Sequence, residues 1–174
     1  HLDEWLETNP TQNEKNKYAQ QLWDFFSFFF TKHHIIHADP NPGNFIFMAN
    51  GNLGIIDFGC VKQLDPDFPS QIANVIHYHL KREIDPVMEI YNKWGMLSSD
   101  LKENSQQVED YLLFFREWLT LPFREKIFDF EKHPDYLQQR FSDDFKTAMN
   151  TMHNTTHNFV MFDRSYMGLL TIFH

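Results

Sequence analysis

Apolar residues recur at helical spacing early in the chain. Tyr18, Leu22, Phe25, Phe26, Phe29 and Phe30 share one face of the segment 13–33, which predicts a helix whose stripe of rings packs into a core. The pattern then breaks at "HHIIHADPNPGN" (33–44), where two prolines and a glycine forbid a regular helix. Two short apolar runs come next, "FIFM" and "LGII", joined by "ANGN". Asn-Gly favours the positive φ angles of a tight hairpin turn, so strands are expected at about 45–48 and 53–56. Asp57 then stands at the mouth of the second strand.

Helical periodicity returns after the turn "QLDPDFPS". Ile72, Val75, Ile76 and Leu80 form one face, and Val87, Ile90, Tyr91 and Trp94 a second that stops at Gly95, a natural helix end. Val108, Leu112, Phe115 and Leu119 form a third before Pro122. Phe141, Phe145, Met149 and Met152 form a fourth, and Leu169 to Phe173 are expected to close the domain. No repeat, low-complexity tract or linker divides the chain. The expected fold is mainly α, a single helical domain over 1–174 with one small β-hairpin.

Composition narrows the function classes. The 174 residues carry a formal charge of −9, which argues against nucleic acid as a partner, because phosphate contacts need clustered Lys and Arg. The densest apolar run, "FFSFFF" at 25–30, is far shorter than the ~20 residues of a membrane span. A single cysteine, Cys60, cannot close an internal disulfide, so a reducing, cytoplasmic setting is expected. The 19 phenylalanines point to a ring-rich interior. Trp5, Trp23, Trp94 and Trp118 are read as core or interface rings. The outlying histidines, among them His77, His79, His153 and His157, are read as surface or helix-face residues.

The candidate chemistry lies in "HADPNPGNFIFMANGNLGIIDFG", His37 to Gly59. Asn44 follows Asp39 by five residues, and Asp57 follows Asp39 by 18. A hairpin with one strand starting after Asn44 and the other ending before Asp57 brings both to one rim, since paired strands lie about 5 Å apart. Phosphoryl transfer needs an acid beside the acceptor and oxygen ligands on the metal. Magnesium takes hard oxygens, typically one or two carboxylates with water and phosphate. Asp39 suits the first role, Asn44 and Asp57 the second. Pro40 and Pro42 stiffen the loop, Gly43 lets it turn, Gly59 lets the chain leave, and Phe58 is expected to pack inward.

These offsets match H-x-D-x-x-x-x-N followed by D-F-G, the catalytic loop and metal motif of the protein-kinase-like fold. "HADPNPGN" with "IDFG" resembles the UbiB-type atypical kinases, the AarF-domain family, whose usual form is H-A-D-P-H-P-G-N; this chain has Asn41 at the second histidine. The match is tight over 23 residues, and "FDRSYMGLL" near the end is compatible with it. The resemblance implies that Asp39 is the catalytic-loop aspartate, that Asn44 and Asp57 bind magnesium, that Gly59 belongs to the nucleotide-binding motif, and that His37 braces the loop. It further implies a protein-kinase-like C-terminal lobe, ATP with Mg2+, and a link to ubiquinone (isoprenoid quinone) biosynthesis. A small-molecule or lipid acceptor, such as a quinone precursor, and a peripheral place at the inner membrane for the parent protein go with that link. Only "CVKQLDPDF" separates Gly59 from the next helix, without Ser, Thr or Tyr, so the peptide platform of an ordinary protein kinase is not expected.

No Gly-rich phosphate loop and no V-A-I-K-type lysine precedes His37. The expectation is therefore a C-terminal lobe without its N-terminal lobe, inactive alone, with a dimer through the uncovered face. Three rival readings compete with this one. Aminoglycoside or choline kinases have a similar loop, H-G-D-x-H-x-x-N, from which Ala38 and Pro40 depart. A zinc site from His33, His34, His37 and Asp39 would imply hydrolysis. A non-catalytic kinase-fold module would keep the fold for binding.

Overall fold

In the computed structural model, which describes residues 1–97, 105–143 and 155–174, the chain is mainly helical with two small antiparallel strand pairs. It divides into two compact units, 1–69 with 160–174, and 70–159. None of the described helices is long and apolar enough to cross a membrane.

The first unit opens with helix α1 (Leu2–Glu7) and helix α2 (Gln12–Phe28). Thr11 fixes the start of α2: its hydroxyl accepts from the Glu14 N–H, while its own N–H donates to the Glu14 carboxylate at 2.7 Å. Tyr18, Leu22, Phe26 and Phe30 are buried at a strict spacing of four. Phe25 and Phe29 flank that stripe half-buried and pack on each other, ring centroids 5.0 Å apart. The helix loosens into a π turn at Phe29–His33 and ends at His34, whose φ of 55° is left-handed. The predicted span to residue 33 therefore holds, but its last turn is not α.

Strand β1 (Ile35–His37) comes next, then a 3-10 turn (Pro42–Asn44), β2 (Phe45–Phe47) and β3 (Leu53–Ile55). β2 and β3 form the predicted hairpin, each strand one residue shorter than expected, with Phe45 opposite Ile55 and Phe47 opposite Leu53. Gly51 takes φ 79° in the turn. The hairpin is bolted to α2: the Tyr18 hydroxyl donates to the Met48 carbonyl at 2.6 Å, and Gln21 bonds both Gly51 and Leu53. Trp5 stacks on Phe47 at 4.7 Å.

The sequence expectation of one hairpin is incomplete. A second pair joins β1 to β4 (Val61–Gln63), with Ile36 opposite Lys62. Three residues per strand, one strand wholly exposed, leave no periodic signal. The ladder is extended by the Ala38 N–H to the Cys60 carbonyl (2.9 Å) and the Leu64 N–H to the His34 carbonyl (2.8 Å). Helix α6 (His157–Phe173) completes this unit from Val160 onward. Its Phe162 stacks on Tyr166 and meets Phe26, Phe30 and Phe68 within about 6 Å. Each such buried ring removes about 1.5–3 kcal/mol worth of apolar surface from water.

The second unit holds α3 (Phe68–Lys81) from Ser70 on, α4 (Ile84–Lys93) and α5 (Ser105–Thr120). Val75, Val87, Tyr91 and Trp94 are almost fully buried, and Gly95 ends α4 with φ 71° as expected. Two expectations for α3 are corrected. Leu80 is 45% exposed, whereas His79 is buried and bonds the Tyr91 hydroxyl at 2.8 Å. The inward face runs Ile72, Val75, His79, and Leu80 lies about 100° round the helix from it. On α5, Leu112 and Phe115 face inward with Tyr111 and Trp118, and Trp118 stacks on Tyr136. Phe145, Met149, Met152 and His153 lie outside the described residues.

Candidate active site

His37 closes β1, so β1 and its partner β4 set the start of the loop that carries Asp39. Asn41 shapes the middle of that loop. Its side-chain oxygen accepts from the Gly43 N–H at 2.9 Å, an Asx turn that leads into the 3-10 turn ending at Asn44. The residue that departs from the usual family histidine thus has a structural task of its own here.

Asn44 is buried, and its amide N–H2 donates to the Asp39 carboxylate at 2.9 Å and to the Asp39 carbonyl at 3.2 Å. Both donors of that amide are committed to Asp39, which leaves the amide oxygen for another partner. The Asn44 carbonyl accepts from the Ile56 N–H at 3.0 Å, one step past the hairpin ladder. That bond holds Asn44 beside the residue preceding Asp57.

Asp57 is exposed and sits in the left-handed region, φ 58°. Its Oδ1 accepts from the Gly59 N–H at 3.2 Å, and its carbonyl accepts from His37 Nε2 at 2.9 Å. The proton therefore resides on Nε2, while His37 Nδ1 is buried without a partner among the described residues. The positive φ of this turn falls on Asp57 and not on Gly59. Gly59 matters for its size, since a Cβ there would lie 3.1 Å from Asp57 Oδ1. Phe58 does not pack inward: it is 57% exposed and meets the His37 ring edge-on at 5.8 Å. With Asp57 left-handed, the turn throws Phe58 outward.

Hydrogen bonds join Asn44 to Asp39, and Asp57 to His37 and Gly59; the Asn44–Ile56 backbone bond sets these two groups side by side in one candidate site. It offers two hard oxygens, an amide and a carboxylate, a donor set that fits a magnesium ion sharing its shell with phosphate and water. It does not fit zinc. Among the described residues no group of three or more His, Cys, Asp or Glu is placed to hold a metal, so His33, His34, His37 and Asp39 do not gather.

Helix α6 braces the loop from behind. The buried Ser165 hydroxyl shares its proton between the His37 carbonyl at 3.1 Å and the Met161 carbonyl of its own helix at 3.0 Å, and Gly168 lets Pro40 lie directly on the helix. Arg164 stands 3.9 Å from Asp39 Oδ1, an exposed pair that contributes at most about 1 kcal/mol. Sequence reasoning misses all three. The segment "FDRSYMGLL" carries the only hint.

The profile of the ABC1 atypical kinase-like domain matches residues 1–91, a span that holds the loop, the hairpin and Asp57. The chain belongs to this atypical kinase-like family. Similar proteins include an uncharacterized protein of Synechocystis sp. that is 32% identical over 69 residues, covering 40% of this chain and 10% of that protein. A second Synechocystis protein, also uncharacterized, is 31% identical over 94 residues, covering 51% and 22%. An uncharacterized aarF domain-containing protein kinase of Arabidopsis thaliana, described as chloroplastic, is 24% identical over 95 residues, covering 54% and 14%. The matched part of this ABC1 domain thus spans at most 22% of the length of these three relatives.

Proposed function

We propose that the chain is the C-terminal catalytic lobe of an atypical kinase or ATPase that binds ATP with Mg2+. The observation that carries this reading is the Asn44 amide bonded to the Asp39 carboxylate at 2.9 Å while the Asn44 carbonyl is tied to Ile56, next to Asp57. Asp39, oriented by Asn44, takes the proton of the acceptor. The Asn44 amide oxygen and the Asp57 carboxylate are the ion's protein ligands, and Mg2+ when bound neutralises phosphate charge. His37 holds the Asp57 backbone against the loop, and Gly59 turns Asp57 Oδ1 into place.

The acceptor we infer is a small molecule or lipid rather than a protein. Only nine residues, Cys60 to Phe68, separate Gly59 from the second residue of α3, and β4 occupies three of them. That leaves little chain on which a peptide could be laid out. A quinone precursor as the acceptor, and the link to ubiquinone biosynthesis, rest on the family resemblance.

Titration of the chain with ATP in the presence and absence of Mg2+, monitored by ligand NMR, tests the reading. Binding is expected to need Mg2+ and to weaken at least about tenfold in Asp57→Asn, which removes one ionic ligand. Binding that ignores both the metal and the substitution contradicts it.

A further inference from the structure

Between Lys32 and Lys62 the chain has neither Lys nor Arg. The loop that presents Asp39 therefore brings no cation of its own to a site that handles phosphate. Helix α6 brings one. Arg164 lies 3.9 Å from Asp39 Oδ1, on the oxygen opposite the one that Asn44 holds. Its side chain is 60% exposed, and the pair is long for an ion pair. Such a contact is readily exchanged for a better anion. The helix under it packs on the loop: the Ser165 hydroxyl reaches the His37 carbonyl and Gly168 lies against Pro40. A planar guanidinium on a fixed base, with its fork open to solvent, suits the bidentate capture of phosphate oxygens.

We propose that Arg164 is the cation that receives the transferring phosphoryl group, moving from Asp39 Oδ1 to the terminal phosphate of the nucleoside triphosphate. The inference rests on the phosphotransfer reading of Asp39. In that step the acceptor oxygen, from a hydroxyl or water, bonds to the terminal phosphorus as the bond from phosphorus to the bridging oxygen breaks. The bond pair stays on the nucleoside diphosphate, and the acceptor's proton passes to the Asp39 carboxylate. Charge builds on the equatorial phosphoryl oxygens, where the Arg164 fork stabilises it. Leaving Asp39 also frees Oδ1 to take the proton.

The test tracks the Arg164 Nε–H and the Asn44 side-chain amide by NMR while Mg2+ with a non-hydrolysable ATP analogue is added to the whole chain. Both signals are expected to shift with the triphosphate, and Arg164 hardly at all with Mg2+ and AMP. Arg164→Gln should weaken triphosphate binding about tenfold, with partial recovery in Arg164→Lys. The nucleotide series separates this role from simple bracing: a guanidinium that meets the terminal phosphate makes Arg164→Gln weaken binding of the triphosphate analogue with little effect on ADP, whereas a bracing role weakens both alike. If Asn44 responds and Arg164 does not, the inference is overturned while the reading of the site survives. If neither responds, that reading falls and this inference with it.

Discussion

Gly168→Ala is expected to lower the unfolding free energy by about 2 kcal/mol, although alanine is the better helix former. Propensity alone predicts a gain of about 1 kcal/mol in a helix interior. The structure reverses the sign, because a Cβ at 168 would fall on Cβ and Cγ of Pro40. Neither partner can yield easily: Pro40 is fixed by its ring, and Ser165 pins α6 to the His37 carbonyl one turn earlier. Overpacking of this kind commonly costs about 1–3 kcal/mol. Denaturant unfolding measures the loss, and the double variant Pro40→Ala, Gly168→Ala should recover much of it. A Gly168→Ala protein more stable than the parent would mean that α6 does not brace the loop.

A second large effect is expected with pH. Burial first, and the Arg116 charge second, lower the His79 pKa from 6.5 to about 4. The imidazole, from α3, bonds the Tyr91 hydroxyl of α4 and lines an open cavity with Arg82, Glu83, Glu109 and Arg116. Protonation would set a buried cation near a guanidinium. The unfolded chain binds this proton near pH 6.5 and the folded chain only near pH 4, so stability is complete above 6.5 and declines as pH falls to about 4. The difference corresponds to about 3 kcal/mol. Unfolding free energies measured across that window should fall steeply in the parent and more gently in His79→Gln. Glu117, whose pKa is lowered by Arg124 and Arg116, also loses stabilisation in acid, but it does so equally in both proteins. Equal slopes would contradict the assignment.

The contrast between these two sites shows what the sequence makes legible. The residues His37, Asp39, Asn44 and Asp57 lie within 23 positions, and their relation is set by a hairpin that Asn50-Gly51 announces. Local rules suffice there. The brace from α6 is invisible to them, because Ser165 meets His37 across 128 positions. His79 escapes them for a related reason: histidine is usually solvated, and the Tyr91 hydroxyl on the next helix makes its burial tolerable. The second strand pair, three residues long with Val61–Gln63 exposed, is held by its partner rather than by its own pattern. Phe58 turns outward because Asp57, not Gly59, takes the left-handed turn. What local preference governs can be read, and what distant contacts govern cannot.

Paramagnetic mapping with Mn2+ in place of Mg2+ tests the central claim most directly. With ATP present, the Asn44 side-chain amide and the Gly59 N–H should broaden first and together, and Asp57→Asn should abolish both effects. Broadening that is spread over acidic surface residues, or that reaches Gly59 while sparing Asn44, would contradict a single ion shared by the two loops.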